Sequence, residues 1–143
     1  MIIDYKYDIL VKDYNILRKS VGWNEININQ AQVGINNSIY LITAIHKNKT
    51  IGLVRVVGDG GYIAIIVDVI VLPDYQGKGI GKSLMQKVME FINSDLKEGQ
   101  SIFVNLMAAK SRETFYRQFG FTERPNEIMG CGMTQWIRKT NQT

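Results

Sequence analysis

Apolar residues recur at two spacings along this chain, and each spacing predicts one kind of element. Period-two alternation and short continuous runs rich in Ile, Val and Tyr predict strands, whereas spacings of three and four predict helices. The pattern predicts strands over residues 2–7, 38–46, 50–57, 62–72, 101–108 and 131–138. It predicts helices over residues 10–20, 79–94 and 111–118, with Ser111 as a cap, and leaves 24–35 open between a short helix and a loop.

The order of these elements predicts how the sheet is connected. The turn Lys47-Asn48-Lys49 joins two strands as a hairpin, so those neighbours run antiparallel. The helix over 79–94 instead connects the strands on either side of it as a β-α-β crossover, which makes that pair parallel. The sequence therefore predicts a fold of the α/β or α+β class with a mixed, mostly antiparallel sheet.

Composition and charge narrow the function classes. The chain has 143 residues, 45% hydrophobic and 21% charged, which suits one domain over residues 1–143 without a metal or disulfide. Cys131 is the sole cysteine, and we expect a small buried residue in a reducing, cytoplasmic setting. With no signal peptide and no apolar run near ~20 residues, no membrane partner is expected. The basic residues behind the net charge of +4 are scattered, which suits a polyanionic small molecule better than nucleic acid.

The stretch VLPDYQGKGIGK, residues 71–82, joins a buried strand to the start of a helix. Pro73 ends the strand because it lacks a ladder donor, and the three glycines that follow let backbone N–H groups lie directly against a ligand. These groups lie at a helix N-terminus, where unpaired donors and the helix dipole favour an anion. With Lys78 and Lys82 nearby, the turn predicts a phosphate site. The alternative is that the glycines only shape a tight turn, although one glycine would serve that purpose.

Two common phosphate motifs do not match this turn. A P-loop requires a glycine five residues before Gly81, where the chain has Gln76. A dinucleotide fingerprint that starts at Gly77 requires a glycine where the chain has Lys82. Each motif therefore fails at a required position, and a different phosphate-binding turn is indicated.

The spacing that does match is Q-x-x-G-x-G, at Gln76, Gly79 and Gly81, behind a V-x-P that ends the strand. Together with the F-Y-x-x-x-G-F of residues 115–121, this stretch resembles the GNAT superfamily of acyl-CoA-dependent acetyltransferases, over about residues 38–122. The resemblance implies the GNAT fold, with helices on both faces of the sheet. It also implies that backbone N–H groups bind the pyrophosphate of acetyl-CoA, the co-substrate, with no metal. The implied cofactor-binding residues of the turn are Gln76, Gly77, Lys78, Gly79, Ile80, Gly81 and Lys82.

The resemblance also implies roles for residues on either side of the turn. The pantetheine arm pairs with the backbone of Val69, Ile70 and Val71, where this strand separates from the next parallel strand, and an N–H near Val71 polarises the thioester carbonyl. Tyr116 donates a proton to the leaving thiolate, with packing as a core aromatic residue as its alternative. The asparagine that many members carry seven residues before this tyrosine is Ala109 here, so that pantetheine contact comes from elsewhere.

The chemistry also requires a group that takes a proton from the acceptor amine. With a pKa near ~10.4, only about one alkyl amine in 2,500 is neutral at pH 7. Asp68 interrupts an apolar strand, and an unpaired carboxylate there would be costly, so it is the candidate base. A structural hydrogen bond to the N-terminal helices is an equal alternative. By alternation Asp68 faces away from Val69 and Val71, unless a bulge intervenes.

The acceptor and the partners are less defined by the sequence. Trp23, between the N-terminal helices, is a candidate wall of the acceptor pocket, with core packing as the alternative. The resemblance favours a primary amine on a small molecule as acceptor. Rival interpretations are acetylation of a protein N-terminus or lysine, an acyl-CoA-binding sensor or scaffold without turnover, and a nucleotide-binding protein. A homodimer is common in the family, but nothing in the sequence locates its interface.

Overall fold

A computed structural model describes residues 1–139 of the chain. The chain divides into two units, Met1–Leu106 and Met107–Thr143, and each is described by itself. The expectation of one domain over residues 1–143 stays a prediction. None of the described helices has both the length and the apolar character needed to cross a bilayer.

The first unit is built around one five-stranded sheet. Its strands are β1 (Asp4–Lys6), β2 (Tyr40–His46), β3 (Lys49–Gly58), β4 (Ile63–Val71) and β5 (Phe103–Leu106), in that spatial order. All neighbours are antiparallel except β4 and β5, which are parallel. The hairpin between β2 and β3 turns at Lys47 and Asn48, which both have positive φ, as a two-residue turn of the primed type requires. The predicted mixed sheet with one crossover is confirmed.

Three helices cover the two faces of this sheet. They are α1 (Val11–Ser20), α2 (Ile28–Asn36) and α3 (Ile80–Ser94). The ambiguous stretch 24–35 therefore contains a helix, which starts after Asn27 because the Asn27 side chain accepts a hydrogen bond from the Gln30 N–H. The amphipathic face of α3 packs against β2, β3 and β4, whereas α1 covers the opposite face of β3 and β4.

The core of the first unit consists of aliphatic side chains from both layers. Gly52 of β3 shows how closely α3 approaches the sheet, since a Cβ there would lie 3.1 Å from Leu84 Cδ1. A side chain at that position would require the Leu84 side chain to shift by a few tenths of an ångström. The largest fully buried apolar side chains are Leu17, Ile42, Ile51, Leu53, Val54, Val56, Ile70, Leu84, Met85 and Val88.

The second unit contains one short helix, α4 (Glu113–Arg117). The predicted cap at Ser111 is wrong, because Arg112 precedes the helix and Ser111 has a positive φ of 72°. The strand predicted over residues 131–138 is also wrong, since no described residue after 117 lies in a strand or helix. Cys131 is exposed rather than buried. An apolar alternation indicates strand tendency, but a strand forms only where the segment pairs with another strand, and residues 131–138 are in no such pairing among the described residues.

Candidate active site

The glycine-rich turn follows directly from the end of β4. Pro73 starts a single 3₁₀ turn that ends at Tyr75, and the Tyr75 N–H donates to the carbonyl of Leu72. The Gln76 side chain reaches back and donates to the Val71 carbonyl at 2.9 Å, while the Gln76 N–H donates to the Pro73 carbonyl. Gln76 therefore holds the turn in shape, and its own N–H is already used within the protein.

The next six residues present an array of backbone donors. Among residues 1–139, no protein acceptor receives a hydrogen bond from the N–H groups of residues 77–82, and the first bonded N–H of α3 is that of Ser83, to the Gly79 carbonyl. Gly77 and Gly79 have φ of 75° and 82°, a conformation in which an L side chain is strained. These donors lie just before α3 and in its first turn, at the positive end of the helix dipole, so the turn can bind a polyanion.

The backbone of β4 loses its parallel partner halfway along its length. The last residue pair of the parallel ladder is Ile66 with Leu106, although β4 continues to Val71. The stretch 67–71 therefore pairs with β3 but not with β5, and the predicted pantetheine contacts Val69, Ile70 and Val71 all lie on it. An extended group can add to such an unpaired edge as an extra strand would.

A β-bulge lies at the start of this unpaired stretch. Residues 53 and 55 of β3 pair with residues 70 and 67 of β4, so Asp68 and Val69 together oppose the single residue Val54. Asp68 has a φ of 56°, which is unusual for a residue other than glycine. The bulge breaks the strict alternation that the sequence pattern suggests, and it turns Asp68 toward α1.

The carboxylate of Asp68 is held by three donors. Oδ2 accepts from the Tyr14 hydroxyl at 2.7 Å and from Arg55 Nε at 2.9 Å, and Oδ1 accepts from Arg18 Nη1 at 3.4 Å. The side chain of Asp68 is only 8% exposed. Burial, reinforced by the negative charge of Asp68, raises the pKa of Tyr14, so its hydroxyl stays protonated and donates. The hydrogen bond to the N-terminal helices, one of the two predicted alternatives, is present, and the role of Asp68 as a base stays a prediction.

The two arginines of this cluster connect the bulge to α2 and to the loop that precedes it. Arg55 Nη1 also donates to the Gly34 carbonyl at 3.0 Å, and Arg18 Nε donates to the Asn24 carbonyl at 2.8 Å. The Arg18 guanidinium lies 5.3 Å from the centre of the Trp23 ring. Trp23 is half-buried, so the structure gives it both a packing contact and a solvent-facing side.

Sequence analysis missed Tyr14, Arg18 and Arg55 as site residues. Arg55 interrupts an apolar strand just as Asp68 does. Two opposite charges in adjacent apolar strands were the signal that could have identified Arg55 as a partner of Asp68. His46, at the end of β2, is half-buried, and its Nδ1 lies 3.0 Å from the Tyr75 hydroxyl. This contact connects the end of β2 to the 3₁₀ turn that precedes the free N–H groups.

Tyr116 lies in the second unit, on α4. It is 9% exposed and packs edge-on against Phe115, with the ring centres 5.0 Å apart. Burial raises the pKa of Tyr116, and the positive charge of Arg112 opposes that shift in part. The hydroxyl makes no hydrogen bond to another described residue. Tyr116 is therefore a protonated phenol at neutral pH, whichever of its two predicted roles it has.

Comparisons with known proteins agree with this geometry. The family model described as "Acetyltransferase (GNAT) domain" matches residues 36–123, more than half of the chain. The uncharacterized N-acetyltransferase ycf52 of Porphyra purpurea is 30% identical over 115 residues, which cover 78% of this chain and 64% of that protein. Histone acetyltransferase TAP1 of Glycine max is 29% identical over 136 residues, covering 86% of this chain and 56% of that protein.

A solved structure matches over nearly the whole chain. It is protein SA2161 of meticillin-resistant Staphylococcus aureus, described as of unknown function and a probable acetyltransferase, with 33% identity and a TM-score of 0.85. The match covers 95% of this chain and 100% of that one, whereas the chain spans less than two thirds of the length of the curated relatives above. Because the family model matches residues 36–123 and these relatives agree with it, the chain belongs to the GNAT acetyltransferase family.

Proposed function

We propose that the protein is an acetyl-CoA-dependent N-acetyltransferase that acetylates a primary amine, most simply one carried by a small molecule. The observation that carries the proposal is the succession, within one unit, of an unpaired β4 edge and six backbone N–H groups without a protein acceptor. One extended ligand with a polyanionic end matches both features. Coenzyme A thioesters have that chemistry, with an amide-bearing arm attached to a pyrophosphate.

The first unit has backbone and side-chain groups of the kind that such a ligand would need. The N–H groups of residues 77–82 would bind the pyrophosphate, and the ammonium groups of Lys78 and Lys82 add positive charge beside it. The backbone of 69–71 would pair with the amides of the arm. Acetyl-CoA, when bound, supplies an activated acetyl thioester, so the protein's task is to hold it, admit the amine and manage protons.

Tyr116 is the proposed proton donor to the leaving thiolate. A phenol with a raised pKa stays protonated through neutral and mildly alkaline pH, which suits a general acid. The thiol it would protonate has an ordinary pKa near ~8.5, so only modest help is needed. The absence of a hydrogen bond from this hydroxyl to another described residue supports its availability to a substrate.

Asp68 remains the proposed proton acceptor for the amine, in competition with a positioning role. Three of roughly four lone-pair sites on its carboxylate already accept hydrogen bonds. One site on Oδ1 is left for a water or an amine. Replacement by Asn separates the two roles, because a base is lost at every pH, whereas a positioning residue changes mainly stability and KM.

The acceptor class is the part of the proposal with the fewest constraints. Trp23, half-exposed beside Arg18, is the proposed aromatic wall for the acceptor. Because one relative carries the name histone acetyltransferase, a lysine on a protein is the second candidate. An acyl-CoA-binding scaffold without turnover is the third.

A thiol-release assay with acetyl-CoA tests the proposal. Panels of small primary amines, lysine-containing peptides and peptides with free N-termini are the acceptors, and calorimetry measures acetyl-CoA binding in parallel. Amine-dependent release of coenzyme A supports the enzyme, and the panel with the highest kcat/KM assigns the acceptor class. Binding without release in any panel indicates a scaffold. Absence of acetyl-CoA binding would contradict the proposal altogether.

A further inference from the structure

Arg55 connects two parts of the first unit that lie far apart along the chain. It lies on β3 opposite Val67 of β4, and its side chain is 16% exposed. Its Nε donates to Asp68 Oδ2 at 2.9 Å, and its Nη1 donates to the Gly34 carbonyl at 3.0 Å and to Ser38 Oγ at 3.2 Å. A single guanidinium therefore bonds both to the β4 bulge and to the C-terminal end of α2.

The α2 end of this contact favours a guanidinium. Gly34 lies in the last turn of α2, where carbonyl groups lack partners within the helix and the helix dipole is negative. Its carbonyl also accepts from Ser38 Oγ at 3.0 Å, so the hydroxyl and the guanidinium bond to one another and to the same oxygen. The planar guanidinium donates in several directions at a fixed geometry, whereas a lysine ammonium is a point charge on a flexible stem.

The Asp68 end of the contact holds a strained backbone. Asp68 has a φ of 56° inside a strand, and Val69, the other residue of the bulge, begins the stretch predicted to contact the pantetheine arm. Such a conformation persists only where the surrounding contacts over-determine it. The direction in which the backbone groups of 69–71 point therefore depends on what holds the Asp68 carboxylate.

Tyr14 and Arg18 hold the same carboxylate, but they do so from α1. Arg18 also donates from Nε to the Asn24 carbonyl, in the loop that precedes α2 and carries Trp23, the proposed acceptor wall. Arg55 approaches from β3, the strand that pairs with the bulge, and it reaches α2 itself. The bulge is thereby connected to the loop before α2 through one arginine and to the end of α2 through the other.

We propose that Arg55 is a positioning residue for acetyl transfer, a proposal that rests on the function proposed above. By bonding to Asp68 and to the end of α2 at once, Arg55 fixes the backbone of 69–71, beside which the thioester would lie, relative to the helix and loop on the side of Trp23. It acts through these neighbours and not on a reactant. Loss of its two-sided contact should therefore slow transfer and spare the binding of the pyrophosphate.

Two variants and a control separate geometry from stability. Arg55→Lys retains a positive charge beside Asp68 but lacks the fork that also reaches α2. Ser38→Ala removes one contact at the α2 end and leaves the contact with Asp68. Val88→Ala is the matched control, because Val88 is fully buried on α3, on the opposite face of the sheet, and its truncation lowers stability without a change in the cluster.

Steady-state kinetics with the best amine of the thiol-release assay measure transfer, and calorimetry measures acetyl-CoA binding. We expect Arg55→Lys to lower kcat by about tenfold, because a small displacement of the thioester relative to the acceptor is costly, while the Kd for acetyl-CoA stays within about twofold. Gln76 and not Arg55 holds the glycine-rich turn, so the pyrophosphate should bind as before. Val88→Ala should retain its kcat. An unchanged kcat in Arg55→Lys, or a Kd that weakens as much as kcat falls, would overturn the proposal.

A double variant tests whether Ser38 acts through Arg55. Ser38→Ala alone should lower kcat by about threefold, and adding it to Arg55→Lys should cause no further loss, because contacts within one network are not additive. Multiplied losses in the double variant would contradict a shared role. If Arg55→Lys does not fold, Ser38→Ala decides alone, and an unchanged kcat in that variant overturns the proposal.

Hydrogen exchange of the ligand-free protein tests the contact without any acceptor. Amides of residues 33–38 and 67–71 should exchange at least about tenfold faster in Arg55→Lys than in the unmodified chain, and Val88→Ala should not affect these two segments selectively. If no acceptor supports turnover, the proposed function fails, and the exchange rates alone decide the positioning role. Equal exchange of both segments in Arg55→Lys and the unmodified chain would then overturn it.

Discussion

The first unit contains two polar centres on β4 and its continuation, and they differ in exposure and in hydrogen bonding. The turn of residues 77–82 is open to solvent and offers six N–H donors that have no protein acceptor. The cluster around Asp68 is buried, and its one carboxylate accepts hydrogen bonds from Tyr14, Arg18 and Arg55. Polar groups left unpaired on a surface are available to a ligand, whereas polar groups paired in the interior determine where backbone and loops lie.

Mutations at the two centres should therefore have different consequences. A change at Gly77 or Gly79 should remove binding and spare folding, because nothing lies within 4 Å of a Cβ at either position. A change in the cluster should reduce stability first, because each member supports the others. The four predictions below test this division, from the largest expected effect to the smallest.

Gly79→Trp should abolish detectable acetyl-CoA binding, a loss of at least about 100-fold, while the domain still folds. The φ of 82° is strained for any side chain, and the new ring would occupy the space in front of the free N–H groups. Isothermal calorimetry measures binding, and circular dichroism checks the fold. Gly99→Trp is the control, since Gly99 also has a positive φ and no atom within 4 Å of its Cβ position, but lies outside the turn. Unchanged binding in Gly79→Trp would remove the turn from the site.

Asp68→Ala should lower the free energy of unfolding by about 3–5 kcal/mol, because it leaves the positive charges of Arg18 and Arg55 buried without their partner. Urea denaturation followed by fluorescence measures the change. Asp4→Ala, at an exposed carboxylate on β1, is the control and should shift stability by less than about 0.5 kcal/mol. Equal stability of the two variants would show that the cluster is not a structural centre.

Tyr116→Phe should lower kcat by about 100-fold, close to 2.7 kcal/mol of transition-state stabilisation, with little change in acetyl-CoA affinity. Because burial raises the pKa of Tyr116, the unmodified enzyme should lose no kcat through deprotonation of this residue between pH 6 and 9. A pH–rate profile of both proteins, from pH 6 to 10, measures the effect. Full activity of Tyr116→Phe would leave core packing as the role of this residue.

Tyr14→Phe should destabilise the protein by about 1.5 kcal/mol at neutral pH, since it removes one hydrogen bond to a charged acceptor. The folded pKa of Tyr14 lies above its unfolded value, so the protonated hydroxyl contributes its full stability below pH 10 and loses it as pH rises through the folded pKa. The stability difference between the two proteins should therefore be constant from pH 6 to 9 and shrink above pH 10. Chemical denaturation across that range measures it, and a difference that grows with pH would contradict the assignment.

Local chemistry explains why the turn could be predicted and the cluster could not. The turn lies within twelve consecutive residues, and its glycines, proline and helix start act on one another through the chain itself. The partners of Asp68 come from residues 13, 50 and 54 positions away. A carboxylate in an apolar strand signals that some partner exists, but only the packing of α1 on β4 identifies it.

The strands also differ in whether the sequence alone could predict them. Those that pair within the first unit were predicted within a few residues of their observed ends, since burial imposes the alternation that the sequence displays. The stretch 131–138 shows the same alternation, yet it is not a strand among the described residues. Alternation records a tendency, whereas a strand requires an edge to pair with.

The amino-acid sequence by itself determined the order of elements, the parallel crossover, the family and a backbone array suited to a polyanion. These follow from periodicity and from the conformational freedom of a few glycines and a proline, which act over short distances along the chain. Only the tertiary structure decided the bulge at Asp68, its three donors and the point where β4 parts from β5. Each of those depends on which distant segments meet, because burial and pairing are properties of surfaces in contact and not of residues in a row.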